Sequence, residues 1–202
     1  MLFRSGLPTT TKNTMTQIEE ITNTRLRQPN SMVASISSKI LQIRKENIKQ
    51  SLSDLNTIGH RQDYVATIDG VMYYDDSRAE NVNATWFTFE NLIRPVIWIA
   101  GGDSKQTDFS DLKPMAKKNV KTLICVGKDN TNLKQTFQKN IKEIYEVGDL
   151  YEAVTMASLL AQENDIVLFS PACKSDNKKE TYIERGNLYT ENVKRLENEH
   201  RQ

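Results

Sequence analysis

Histidine and cysteine are scarce, with two of each in 202 residues. So few thiols and imidazoles exclude a zinc site of the usual four-ligand kind. Cys125 and Cys173 lie 48 positions apart, each inside or just after an apolar run. Cysteines in that setting read as small buried hydrophobes of a reducing compartment. Charge of one sign is also missing: 27 Lys+Arg against 26 Asp+Glu gives +1, which offers no basic field for nucleic acid or an anionic membrane. No apolar run reaches the roughly 18–20 residues of a spanning helix, and the first residues lack the apolar stretch of a secretory signal. The chain contains no G-x-x-x-x-G-K-[ST] phosphate cradle, no nucleophile elbow and no internal repeat. A globular chain remains, expected in the cytoplasm, long enough for one domain of about 100–150 residues plus a remnant.

Residues 1–29 are rich in Thr and Asn without a sustained period; they are expected to be disordered or foreign to the domain, as at the edge of a truncated reading frame. From Asn30 the texture changes. Met32, Ile36, Ile40 and Ile43, then Ile48, Leu52 and Leu55, recur at helical spacing and predict two short helices within 30–57. After Gly59 strands and helices alternate. Strands are expected at 61–68, 71–75, 95–100, 121–126, 142–147 and 165–170, the first two joined by an Asp69-Gly70 turn. Helices are expected at 79–93, 109–118, 130–139, 149–162 and 180–198. The continuous apolar runs at 95–100 and 165–170 suit strands covered on both faces. The expected fold is α/β: a mostly parallel, Rossmann-like sheet flanked by helices, begun by an antiparallel hairpin and preceded by a helical remnant.

In such sheets ligands bind beyond the carboxyl ends of the strands. There the sequence places Asp76-Ser77-Arg78, the GGDSK stretch with Lys105, Gly127-Lys128, and SPACKS with Ser175. Cations, hydroxyls and a carboxylate on one edge suit an anion or a nucleotide. The Gly101-Gly102 pair lets backbone N–H groups approach a ligand, although an ordinary strand-to-helix turn with a solvated lysine has the same local sequence. Gly127-Lys128 reads as a plain polar loop and is left unassigned. His60 beside Arg61 could be structural or face a ligand, while His200 lies in a charged tail and reads as solvated.

Three stretches, HRQDYVATIDGVMYYDDSRAENVNATW, PVIWIAGGDSK and LFSPACKS…YIERGNLY, resemble the C-terminal domain of the Mur ligase family. They stand in the family's order with compatible spacing, and the resemblance runs from about Asn30 to Leu196. Within the family, DSRAEN and SPAC look most like the branch that adds D-glutamate to UDP-N-acetylmuramoyl-L-alanine in peptidoglycan synthesis. The resemblance implies an ATP-dependent, amide-forming ligase working through an acyl phosphate. It divides the chain into the unrelated 1–29, terminal helices of a central ATP-binding domain at 30–57, and the amino-acid-binding domain at 58–202.

By resemblance, Asn30, Arg61, Asp76 and Arg78 serve ATP, with Asp76 on the ribose hydroxyls and Arg78 where the family has a lysine. Lys105, Ser175 and the Tyr182 backbone hold the carboxylates of D-glutamate, and His60 matches a family histidine beside the arginine. Glu80 departs: it stands where a threonine usually hydrogen-bonds D-glutamate, and a carboxylate there repels the substrate unless Lys105 or Arg78 neutralises it. The KSDNKKET turn is more polar than the family's, and Leu26 and Arg27 do not match its adenine-side asparagine and histidine. No catalytic residue or metal ligand is assigned within the chain; Mg2+ ligands belong to the rest of the central domain, and a monomer without nucleic-acid or membrane partners is expected. Alone, the chain is expected not to catalyse. A second reading is a stand-alone module that binds an anionic metabolite or a protein partner, and a third is a non-functional gene remnant.

Overall fold

A computed structural model describes residues 59–201. The expectations for 1–29, for the helices within 30–57 and for Asn30 lie outside the described residues. The apolar runs form β3 (Val96–Ala100) and β6 (Ile166–Phe169), every residue of which is buried. They pair in parallel at the centre of a six-stranded sheet, Trp98 opposite Leu168. The other strands are β1 (Asp63–Ile68), β2 (Val71–Asp75), β4 (Val120–Val126) and β5 (Glu143–Val147), and the order across the sheet is β1-β2-β6-β3-β4-β5. Among the described residues only the β1–β2 pair is antiparallel. Its turn places Asp69 at φ 48° and Gly70 at φ 76°, the left-handed pair that a two-residue hairpin with the sheet's twist requires.

Helices α1 (Val82–Glu90), α2 (Lys113–Asn119), α3 (Thr131–Phe137), α4 (Leu150–Leu160) and α5 (Tyr182–His200) lie between and after the strands. The helix expected at 109–118 is divided: a 3-10 turn at Ser110–Leu112 precedes α2, with Pro114 in the helix's first turn where its missing N–H costs nothing. Asn81, Asp149 and Thr181 cap α1, α4 and α5, so each helix starts where a side chain accepts one of its free N–H groups. On one face Trp98 and Leu123 pack against Phe89, Ala116 and Phe137 of α1–α3; on the other Ile97, Ile99 and Val167 pack against Ala153, Tyr189 and Val193 of α4 and α5. Each large side chain buried in this way contributes about 1.5–3 kcal/mol.

The chain therefore leaves β3 for α2 on one face, and leaves the adjacent β6 for α5 on the other. Diverging connections at neighbouring parallel strands open a crevice at their carboxyl ends. Trp98 Nε1 donates to Ser170 O at 2.7 Å, fixing the end of β6 beside β3. Among the described residues no helix is long and apolar enough to cross a membrane.

Candidate functional site

Three loops meet at this crevice. The loop after β3 and the loop after β6 bond directly: Gly101 N–H donates to Pro171 O at 3.1 Å and Asp103 N–H to Lys174 O at 2.8 Å. The paired glycines allow close approach, Gly101 to the end of β4 and Gly102 to the loop after β6. Gly101 and Gly102 have φ 138° and 134°, and a Cβ on either would lie 1.9 Å from Val126 O or 2.2 Å from Lys174 O. The loop after β2 joins through Ala172, whose N–H donates to Ala79 O at 2.9 Å. Ala172 is buried at φ 60°, a left-handed conformation costly for any residue with a Cβ.

On one side stand His60, Arg61, Asp76, Arg78 and Tyr182. His60 and Gln62, at φ 69° and 50°, flank Arg61 in a tight turn. The His60 ring is tied to the buried Asp75 carboxylate at 2.6 Å, and that carboxylate also accepts from Ser77 N–H at 2.8 Å. The Arg78 guanidinium lies 5.4 Å above the Tyr182 ring, which meets His60 edge-on at 6.2 Å. Asp76 is 1% exposed, and its Oδ2 accepts from Thr88 and Ser170 hydroxyls, each at 2.7 Å. Burial pushes its pKa up to about 7 against the opposing pull of Ser170, Thr88 and the Arg61 charge.

On the other side stand Glu80, Ser175 and Lys105. Ser175 lines a cavity of about 480 Å³ with Gly101, Gly102, Lys128 and Glu180, and its hydroxyl donates to Glu180 Oε2 at 2.5 Å. Glu80 opens onto an adjoining recess of about 430 Å³ with Asp103 and Lys174. The cation neutralising it is neither Lys105 nor Arg78 but Arg185, at 2.9 Å. Lys105 is 69% exposed and turns to Asp129 at 3.6 Å. The structure thus pairs Glu80 with Arg185, sets Ser175 in the cavity that Arg185 also lines, brings Arg78 to Tyr182, and leaves Lys105 at the rim. The unassigned loop joins too, with Lys128 N–H donating to Asp176 at 3.3 Å. His200, read as solvated, meets Asp69 at 2.8 Å on the surface.

Two residues of the site stand within the YIERGNLY stretch but were given no role from the sequence. Arg185 is buried at the register of Tyr189 and Val193 on α5, and an arginine at a core position of an amphipathic helix was the available signal. Gly186 lets α5 rest on the His60 turn: its Cβ would lie 2.2 Å from His60 Nδ1 and 2.3 Å from Ser77 Oγ. A glycine inside a helix, about 1 kcal/mol worse than alanine, was the signal there. Both cysteines are buried with thiols pushed by burial up to about 12, as inert hydrophobes. Among the described residues no group of three His, Cys, Asp or Glu side chains could hold a metal ion.

The model of the glutamate ligase domain of the Mur ligases matches residues 60–173, more than half of the chain, and the chain belongs to the Mur ligase family. Among particular relatives, a UDP-N-acetylmuramoylalanine–D-glutamate ligase of Christiangramia forsetii is 37% identical over 92% of this chain and 42% of its own length. A ligase of the same name from Salinibacter ruber is 35% identical over 83% of this chain and 36% of its own. The chain thus spans about two fifths of the curated relatives it matches. A solved MurF ligase from Thermotoga maritima, in complex with ADP, covers 74% of this chain and 38% of its own at 15% identity and a TM-score of 0.47.

Proposed function

We propose that this chain is the C-terminal part of a cytoplasmic, ATP-dependent ligase that adds D-glutamate to UDP-N-acetylmuramoyl-L-alanine during peptidoglycan synthesis. The relatives that carry that name support the substrate, and one observation carries the site: the crevice between the β3 and β6 loops, with Ser175 and a buried arginine on one side and Arg61, Asp76 and Arg78 on the other. In the reaction, ATP phosphorylates the L-alanine carboxylate and releases ADP. The amine of D-glutamate then attacks the acyl phosphate, forming the amide, releasing phosphate and losing a proton. The described residues bind and orient. Arg61 and Arg78 offer charge to phosphates, and Asp76 serves the ribose. Ser175 and the Tyr182 backbone take one carboxylate of D-glutamate, and Lys105 swings from Asp129 to the other. Phosphoryl transfer needs positioned cations on the transferring group, which these residues alone do not supply.

The test is the purified 202-residue chain. It is expected to bind D-glutamate in preference to L-glutamate, to lose that binding on Ser175→Ala, and to show no D-glutamate-dependent ATP hydrolysis. Hydrolysis above a heat-killed control would refute the last point. A stand-alone binding module is the second reading. The observation favouring it is that Glu80 and Glu180 already pair with Arg185 and Ser175. Its mark is binding of an anion other than D-glutamate with no preference between the enantiomers.

A further inference from the structure

Arg185 is the buried cation of the crevice, and its donors are underused. NH2 donates to Glu80 Oε1 at 2.9 Å and to Cys173 O at 3.3 Å, while NH1 reaches Gly101 O only at 3.4 Å. The Nε atom is buried with no partner. A guanidinium is always charged and carries five N–H donors, so a buried one left short marks a place where a further acceptor fits. Arg185 lines the 480 Å³ cavity together with Ser175. The two members of its ion pair differ: the arginine side chain is 6% exposed, the Glu80 side chain 26%. The base is fixed and the acid has a way out to water.

We propose that Arg185 anchors a carboxylate of the incoming amino acid, and that Glu80 is its resident counter-ion, which pairs with the guanidinium in the free protein and yields to the ligand. The proposal rests on the amino-acid reading of the crevice. Without Glu80 the free protein would hold an unpaired buried charge, which is costly. With Glu80 in place, an arriving carboxylate meets a like charge and must displace it, so this residue sets how tightly dicarboxylates bind. The surroundings favour its departure. Asp103 lines the same recess as Glu80, a second acid beside the route by which Glu80 leaves. Ser175 repeats the arrangement with Glu180.

The test titrates the full chain with glutarate, which has two carboxylates but neither amine nor stereocentre. Glu80→Gln keeps the shape and removes the charge; it is expected to bind glutarate about tenfold more tightly than the unaltered chain. Adding Arg185→Met to it is expected to abolish the gain. Equal affinity in the two folded proteins, or a gain that survives Arg185→Met, overturns the proposal. Should the double variant fail to fold, the Arg185 Nε–H resonance of Glu80→Gln decides instead: it shifts on adding glutarate, or the proposal falls. The amino-acid reading has separate signs, the preference for D- over L-glutamate and its loss on Lys105→Ala. A glutarate gain without that preference keeps the counter-ion and sinks the reading; the preference without a gain does the reverse.

Discussion

On the Arg61 side of the crevice the buried carboxylates are paired inside the protein, while Ser77 Oγ is buried without a partner. Asp75 holds His60 and Ser77, Asp76 holds Thr88 and Ser170, and Gly186 presses α5 onto the turn. On the Ser175 side the groups with an expected ligand role each have an acid of their own chain as partner: Glu180 for Ser175, Glu80 for Arg185, Asp129 for Lys105. The first arrangement fixes geometry, because a buried hydrogen-bonded network loses heavily if one member is removed. The second keeps charges neutralised until something replaces the partner. One crevice thus combines a rigid wall with an exchangeable one.

The largest effect is expected where the rigid wall has no slack. Gly186→Ala puts a methyl within 2.2–2.6 Å of His60, Ser77 and Asp75, and is expected to cost about 3 kcal/mol or to prevent folding, as read by urea denaturation. A loss under about 0.5 kcal/mol would mean that wall is not rigid.

Asp76 gives the next effect, through pH. Its folded pKa, about 7, lies above the ordinary carboxyl value of 3.8, so the folded state holds the proton more tightly than the unfolded one. Stability from this group is therefore full at acid pH and is lost as pH rises from about 4 to about 7, after which the loss is constant. On the order of 4 kcal/mol is at stake across that window, at about 1.36 kcal/mol for each unit between 3.8 and about 7. Asp76→Asn is expected to flatten the slope and to be more stable than the unaltered chain at pH 8, measured by denaturation at several pH values. An unchanged slope would show that Asp76 stays ionised at neutral pH.

The exchangeable wall should respond asymmetrically. Glu80→Ala leaves Arg185 buried and unpaired and is expected to cost about 3 kcal/mol, whereas Arg185→Met leaves an acid that can reach water and is expected to cost about half of that. Equal costs would erase the distinction between fixed base and mobile acid. Lys105→Ala, at the exposed rim, is expected to leave the melting curve where it was while weakening D-glutamate binding.

The elements themselves were legible from local pattern. All six strands fall within about two residues of their expected bounds, because continuous apolar runs and a left-handed Asp69-Gly70 turn are local facts. Helix α1 is shorter than the expected 79–93 because Asn81 caps its start and Asn91 ends it. The insertion of β6 between β2 and β3 was hidden: strands buried on both faces look alike in sequence, and order is decided by pairing across long separations. The family resemblance supplied the expected site residues, but not their resting partners. That Glu80 would find Arg185, 105 positions away, depended on α5 packing over the β6 loop. The resemblance gives Lys105 to the substrate, and nothing local to GGDSK points to Asp129.

Whether the β3–β6 crevice is a D-glutamate site can be read from amide resonances of the isotope-labelled chain, followed while D-glutamate and then L-glutamate are added. D-glutamate is expected to move Gly101, Gly102, Ser175 and Arg185 in one saturable set, with L-glutamate moving them less at equal concentration. Identical responses to the two enantiomers, or shifts confined to residues outside the crevice, would contradict the assignment.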